Sequence, residues 1–175
     1  MKRPYAQLMS FGRSVPPKVM TNYDFAKIGI DTTHEWVMER TGISERHIAT
    51  AEETTCKLGA AAARIAMERA GVQAGEVDVI ILSTATPDRL LPATAVDIQA
   101  ELGAKRAAAF DVSAACSGWL YALTVGEGLL LSGAAETVLV NLTGSERAGT
   151  PPTADTRWIG RAGDGWALSG LGPGR

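Results

Sequence analysis

Cys116 has the setting in this chain that most invites chemistry. It stands in the stretch Ala109 to Leu123, A-F-D-V-S-A-A-C-S-G-W-L-Y-A-L. An apolar run from Ala107 to Val112 precedes it and reads as a strand, and a long, mostly apolar helix is expected from Cys116 to about Ser132. A thiolate at a helix start meets unpaired backbone N–H groups and the positive end of the helix dipole. Both favour the anion, so a depressed thiol pKa is expected. Ala114, Ala115, Ser117 and Gly118 are small enough for a tight turn and for close approach of a substrate carbonyl. That is the pattern of a strand–turn–helix nucleophile elbow with sulfur as the attacking atom. The alternative is a buried structural cysteine, and position alone leaves both readings open.

A second group lies upstream in D-T-T-H-E-W-V-M-E-R-T-G-I-S-E-R, Asp31 to Arg46. Trp36 offers a stacking face, and Arg40 suits an anion or a ring. Their alternatives are a core or rim aromatic and a surface ion pair. The chain's two histidines, His34 and His47, flank this group and tempt a Cys–His pairing. His34, beside Trp36, is expected to be exposed. His47, in R-H-I-A, reads as a strand or loop position, and neither is expected to act on Cys116. Cys56 falls in an alanine-rich helix and reads as a core residue.

Alternating helical and strand-like segments argue for an α/β fold. Tyr5 to Val15 reads as a strand. Thr21-Asn22 and Asp31-Thr32-Thr33 can cap two short helices, the second ended by Gly42. Thr54-Thr55 opens a helix rich in alanine (Ala60 to Ala63, Ala66, Ala70) that stops at Gly71. V-D-V-I-I-L-S-T, Val77 to Thr84, is apolar and β-branched enough for a buried parallel strand. Ala93 to Leu102 reads as a helix, and T-V-L-V-N-L, Thr137 to Leu142, as a last buried strand.

Bulk properties exclude several classes. A net charge of −2 with scattered basic residues gives no case for nucleic acid or an anionic membrane surface. No apolar run reaches membrane-spanning length, and the N-terminus lacks an export-type apolar core. Two cysteines in 175 residues are no disulfide framework. There is no dinucleotide fingerprint, P-loop or metal-ligand cluster. A cytoplasmic location is expected.

The two motifs together resemble a known family. D-V-S-A-A-C-S-G-W-L-Y-A-L looks like the active-site segment of β-ketoacyl-acyl-carrier-protein synthase III, a thiolase-like condensing enzyme. Asp31 to Arg46 is similar to that family's coenzyme A-binding segment, and the likeness runs from about Met1 to Leu142. The resemblance implies an αβα half, a mixed five-stranded sheet with flanking helices, from a five-layer architecture of two such halves. It implies Cys116 as acyl-accepting nucleophile and Thr32, Trp36 and Arg40 at the coenzyme's adenine end. Leu91, before Pro92, matches a position near the acyl pocket across a homodimer interface; the alternative is an ordinary buried leucine. Acyl-coenzyme A is then a substrate, with no permanently bound cofactor, and malonyl-acyl carrier protein is the partner in a decarboxylative Claisen condensation.

The family places a histidine and an asparagine donor far downstream. Asn141 does not match that asparagine by position. Residues 1–146 form the recognisable half. Residues 147–175 read as a divergent, structureless tail, since 143–175 hold eight of the 19 glycines and show no helical or two-residue period. Ala162-Gly163-Asp164-Gly165 lies near the place of a family G-D-G segment without the strand expected before it, and Thr156 to Arg161 is a poor substitute for that strand. A frameshift near codon 147, a truncated gene, or a half-protein that pairs with a separate second half would each explain the change. Competing functions are a non-catalytic acyl-coenzyme A-binding or pairing subunit, a polyketide starter enzyme, and a cysteine hydrolase using His34 or His47.

Overall fold

The computed structural model describes residues 5–144 and the backbone of 165–173. Its centre is the strand the sequence makes most apolar. β4 (Val79–Ser83) is buried along its whole length. It pairs in parallel with β5 (Ala108–Val112) on one side and β6 (Val138–Leu142) on the other. Beyond β6 lie β7 (Gly165–Pro173) and β1 (Ala6–Ser14), giving the order β1-β7-β6-β4-β5. β7 runs antiparallel to both neighbours, so the sheet is mixed.

Two-residue alternation splits the core between the sheet's faces. Ile80, Leu82 and Leu139 point to one cluster, shared with Ala60, Ala63 and Met67 of α3 (Thr55–Ala70) and with Ala95 and Ile98 of α4 (Thr94–Leu102). Val79, Ile81, Val138 and Val140 point to the other, shared with Ala122 and Leu130 of α5 (Gly118–Leu131). Each fully buried aliphatic side chain is worth about 1.5–3 kcal/mol of transfer free energy. The connections β4–α4–β5 and β5–α5–β6 therefore lie on opposite faces, which makes one αβα unit.

The alanines of α3 have a specific use. Ser10 Oγ of β1 donates to Ala66 O at 2.6 Å. A Cβ on Gly12 would run into the α3 backbone at Ala62 O and Ala66 N. Strand and helix backbones thus nearly touch, which larger side chains on either element would prevent.

Outside this sheet, β2 (Val19–Thr21) and β3 (Glu45–His47) form an antiparallel ribbon. α1 (Asn22–Lys27) follows a capping box in which Asp24 accepts from Thr21 N and Oγ1 at 2.9 and 2.6 Å. Bonds from Lys27 and Thr21 hold the Asp24 carboxyl well below its usual range. α2 (His34–Thr41) is capped by Thr33, whose Oγ1 accepts from Trp36 N at 3.1 Å, and ends at the left-handed Gly42.

Two sequence expectations are corrected. The helix expected from Cys116 begins instead with a 3-10 turn, Ala115–Ser117, and becomes α-helical at Gly118. Ala115, at the head of that turn, has a φ of 47°, left-handed backbone that a regular α-helix does not contain. The second is the expectation of no strand after Leu142. G-W-A-L-S-G-L-G-P is a poor strand former, yet β7 has a neighbour on each side to satisfy its backbone, so tertiary context overrides propensity. Residues 145–164 and 174–175 lie outside the described residues, and with them Ala162, Gly163, Asp164 and the segment Thr156 to Arg161. Among the described residues, no helix is long and apolar enough to cross a membrane.

Candidate active site

Because β4, β5 and β6 are parallel, their C-terminal ends share one edge. The strand order branches at β4, with β5 and β6 reached over opposite faces. Open α/β sheets bind ligands at such a switch point, beyond the carboxyl ends of the strands. Cys116 enters there, in the turn linking β5 to α5, and it is exposed. Gly118 N donates to Ala114 O at 3.1 Å and closes the turn. A Cβ on Gly118 would collide with Ser83 Oγ at the end of β4, so glycine is what lets α5 begin against the sheet. Ala115, immediately before the cysteine, is the only non-glycine residue of positive φ among those described. A non-glycine residue held there costs about 1–3 kcal/mol, a strain typical of functional turns.

The other cysteine is chemically distinct. Burial, with Asp97 and Asp88 adding to it, pushes the Cys56 thiol up to about 11. Cys56 packs at the edge of the α3–α4 cluster, in keeping with its reading as a core residue.

Two carboxylates tie this edge together, and the sequence reading missed both. The α4 N-cap position is Ala93, which has no side chain to offer. Asp111 of β5 supplies the cap from outside, accepting from Thr94 N at 2.9 Å and Ala95 N at 2.8 Å. Asp88 does the same for α3, accepting from Thr55 N and Cys56 N, both at 2.9 Å. Asp88 N in turn donates to Thr94 Oγ1 at 3.0 Å. The one available signal was an aspartate interrupting an apolar strand, A-A-F-D-V. Between these anchors, Leu90 and Leu91 project from the loop, 88% and 85% exposed. Leu91 is thus not the ordinary buried leucine weighed from sequence.

The upstream motif folds as a unit of its own. One helical turn brings Arg40 Cζ to 4.9 Å from the Trp36 ring centroid. Trp36 is half-buried and Arg40 exposed. Thr32 does not cap α2, since Thr33 does, and its buried Oγ1 has no hydrogen-bond partner. His34 is half-buried rather than exposed as expected: its ring stacks on Tyr23, with centroids 4.8 Å apart. His47 Nδ1 lies 2.6 Å from Pro16 O. Both imidazoles are therefore engaged in structure. Asn141 is wholly buried in β6.

Sheet order and layers are those of one αβα half of a thiolase-like fold. Comparison with known proteins agrees. The family model for 3-oxoacyl-[acyl-carrier-protein (ACP)] synthase III matches residues 110–151. The β-ketoacyl-[acyl-carrier-protein] synthase III of Roseiflexus sp. (strain RS-1) is 51% identical over 135 residues, 77% of this chain and 41% of the relative. The 3-oxoacyl-[acyl-carrier-protein] synthase III of Aquifex aeolicus VF5 superposes with a TM-score of 0.85 at 37% identity, covering 95% of this chain and 53% of that one. The priming β-ketosynthase of the R1128 polyketide biosynthetic pathway superposes with a TM-score of 0.88 at 35% identity, over 99% and 51%. Over about three quarters of its length the chain is similar to the β-ketoacyl-[acyl-carrier-protein] synthase III family. It spans about two fifths of the length of the curated relatives it matches and about half that of the solved structures.

Proposed function

We propose that this chain carries the acyl-accepting half-site of a condensing enzyme that initiates fatty-acid synthesis. The observation that supports it most is the exposed Cys116 on a strained turn at the parallel sheet's switch point. The thiolate of Cys116 attacks the thioester carbonyl of an acyl-coenzyme A. The new C–S bond forms to give a tetrahedral oxyanion, whose collapse breaks the old C–S bond, and coenzyme A leaves as its thiolate to take up a proton. Negative charge gathers at the start of α5, where the dipole and free N–H groups favour it, and Cys116 N–H is one donor for the oxyanion. In the second stage, malonyl-acyl carrier protein loses carbon dioxide, and the carbanion attacks the acyl-enzyme carbonyl. This releases β-ketoacyl-carrier protein and restores the thiolate.

Trp36 stacks on the coenzyme's base and Arg40 meets its ring or phosphate, with Thr32 beside them. β5 is a sheet edge, and Leu90, Leu91, Leu120 and Tyr121 are exposed. These features favour a homodimer paired through β5, with Leu91 reaching the partner's acyl pocket. The likeness to a priming ketosynthase supports a second reading, a starter condensing enzyme of polyketide synthesis.

Acetyl-coenzyme A should leave one acetyl group on the peptide holding Cys116, found by mass spectrometry of the intact and digested chain. Cys116→Ala should carry none. Acetylation that survives that substitution, or no acetylation of a chain that binds coenzyme A, would defeat the proposal; the second result would favour a binding subunit.

A further inference from the structure

The side chain of Asn22, at the start of α1, is 1% exposed and its orientation is fixed on both sides. Its Oδ1 accepts from Nη1 of Arg46 in β3, a group that can only donate. Its Nδ2 donates to Ile43 O at 2.8 Å, a group that can only accept. The amide therefore cannot be flipped. Its second Nδ2 hydrogen points at His34 Nδ1, 3.3 Å away, so Nδ1 must accept and the ring proton belongs on Nε2. Arg46 is itself 2% exposed, with its guanidinium 4.9 Å from the Phe25 ring centroid. A rigid chain of contacts thus runs from β3 through Asn22 to the first residue of α2. Tyr23 clamps the same imidazole from the side, with ring planes only 7° apart.

α2 is eight residues long, too short to be stable or oriented by its own hydrogen bonds. Of its residues only Val37 is buried. Besides Val37, the contacts of His34 with Asn22 and Tyr23 tie the direction of its first turn. Trp36 and Arg40 depend on that direction to present one face.

We propose that Asn22 and His34 are positioning residues. They lock α2 through an amide-to-imidazole hydrogen bond so that Trp36 and Arg40 stand as a pre-formed platform for the nucleotide end of the coenzyme. The functional part rests on the reading of Trp36 and Arg40 given above; the structural part does not.

The test compares coenzyme A affinity by titration calorimetry with backbone amide exchange in α2. His34→Phe keeps a ring on Tyr23 but removes the acceptor. His34→Asn removes the ring but places Oδ1 near the position of Nδ1. Losing one such bond should weaken coenzyme A binding about 2- to 10-fold in His34→Phe and speed exchange in α2 by a similar factor. His34→Asn should restore both to within about 2-fold of the parent chain, which a purely ring-filling role would not do. Imidazole 15N spectra should show the Nε2–H tautomer. Trp36→Ala serves as the reference. If it weakens binding while His34→Phe binds like the parent, the positioning role is overturned. If Trp36→Ala has no effect, the platform is not the binding face and the functional part falls. The lock is then judged on exchange and tautomer: fast exchange in His34→Phe alone upholds it, and unchanged exchange or an Nδ1–H tautomer overturns it.

Discussion

Replacing Asn141 by valine should stabilise this protein, because its amide is buried and unpaired beneath α3. Asn141 is 0% exposed, and neither Oδ1 nor Nδ2 has a hydrogen-bond partner. It follows Val138, Leu139 and Val140 in β6 and pairs in register with Leu82 of β4. A Cβ built on Gly59 of α3 would lie 3.7 Å from Asn141 Oδ1, so the amide faces the helix–sheet interface rather than a strand end. An unpaired amide there costs about 1–3 kcal/mol by the measure of protein substitutions. Valine is β-branched, suits a central strand and removes both orphan groups. It is slightly larger, and crowding can return up to about 1 kcal/mol. The net gain is about 1–2 kcal/mol, which for a chain of this size raises Tm by roughly 2–8 °C. Urea unfolding followed by circular dichroism should show a higher midpoint with unchanged slope. Leu139→Ala, on the same face, should lose roughly 2–5 kcal/mol and calibrates the site. A valine variant no more stable than its parent, beside a destabilised Leu139→Ala, would refute the argument and mean that the amide is satisfied in solution.

The close approach of β1 to α3 makes Gly12→Ala a sharp test of backbone contact. The added methyl meets Ala62 O and Ala66 N, so a loss of about 1–3 kcal/mol is expected from the same urea curves, and a neutral result would mean that strand and helix stand further apart. The two thiols should separate by alkylation at pH 8. With its pKa raised to about 11, Cys56 is about 0.1% thiolate there. Iodoacetamide should therefore add one group to the folded chain, at the exposed Cys116, and a second only in denaturant. Equal labelling of both in the folded chain would contradict the burial of Cys56.

The sequence was most legible where burial imposes a period. V-I-I-L-S is apolar on both faces because β4 lies between two parallel strands under two helical layers, and no amphipathic alternation competes with that reading. The capped helices were legible because Thr33, Thr54 and the glycines at 42 and 71 act locally. β7 was not, since a glycine-rich strand held by pairing on both sides carries no pattern of its own. Within the candidate site, Cys116 stood out by its place between a strand and a helix, and Trp36 and Arg40 by the likeness of their segment to a known family. Asn22, Asp88 and Asp111 did not, because each acts on a backbone or ring distant in sequence. Ala115 was hidden for another reason: a positive φ imposed on alanine by its surroundings leaves no mark that a glycine would have left.

Asp88 and Asp111 explain how the loop of exposed leucines and the Cys116 turn can keep a fixed relation. Asp111 lies at the fourth position of β5, five residues before Cys116, and its carboxylate grips the first turn of α4. Thr94 in that turn holds Asp88 N, and the Asp88 carboxylate grips the first turn of α3. Each carboxylate meets the positive end of a helix, where charge and orphan N–H groups favour it. An alanine in either place would leave two donors unmet. The strand that delivers the cysteine, the loop that carries Leu90 and Leu91, and the alanine-rich helix beneath them are therefore joined by charge-assisted bonds rather than by packing alone. Such bonds have strict geometry and few alternatives. They fix the outline of this edge more sharply than the small, interchangeable alanines around it can.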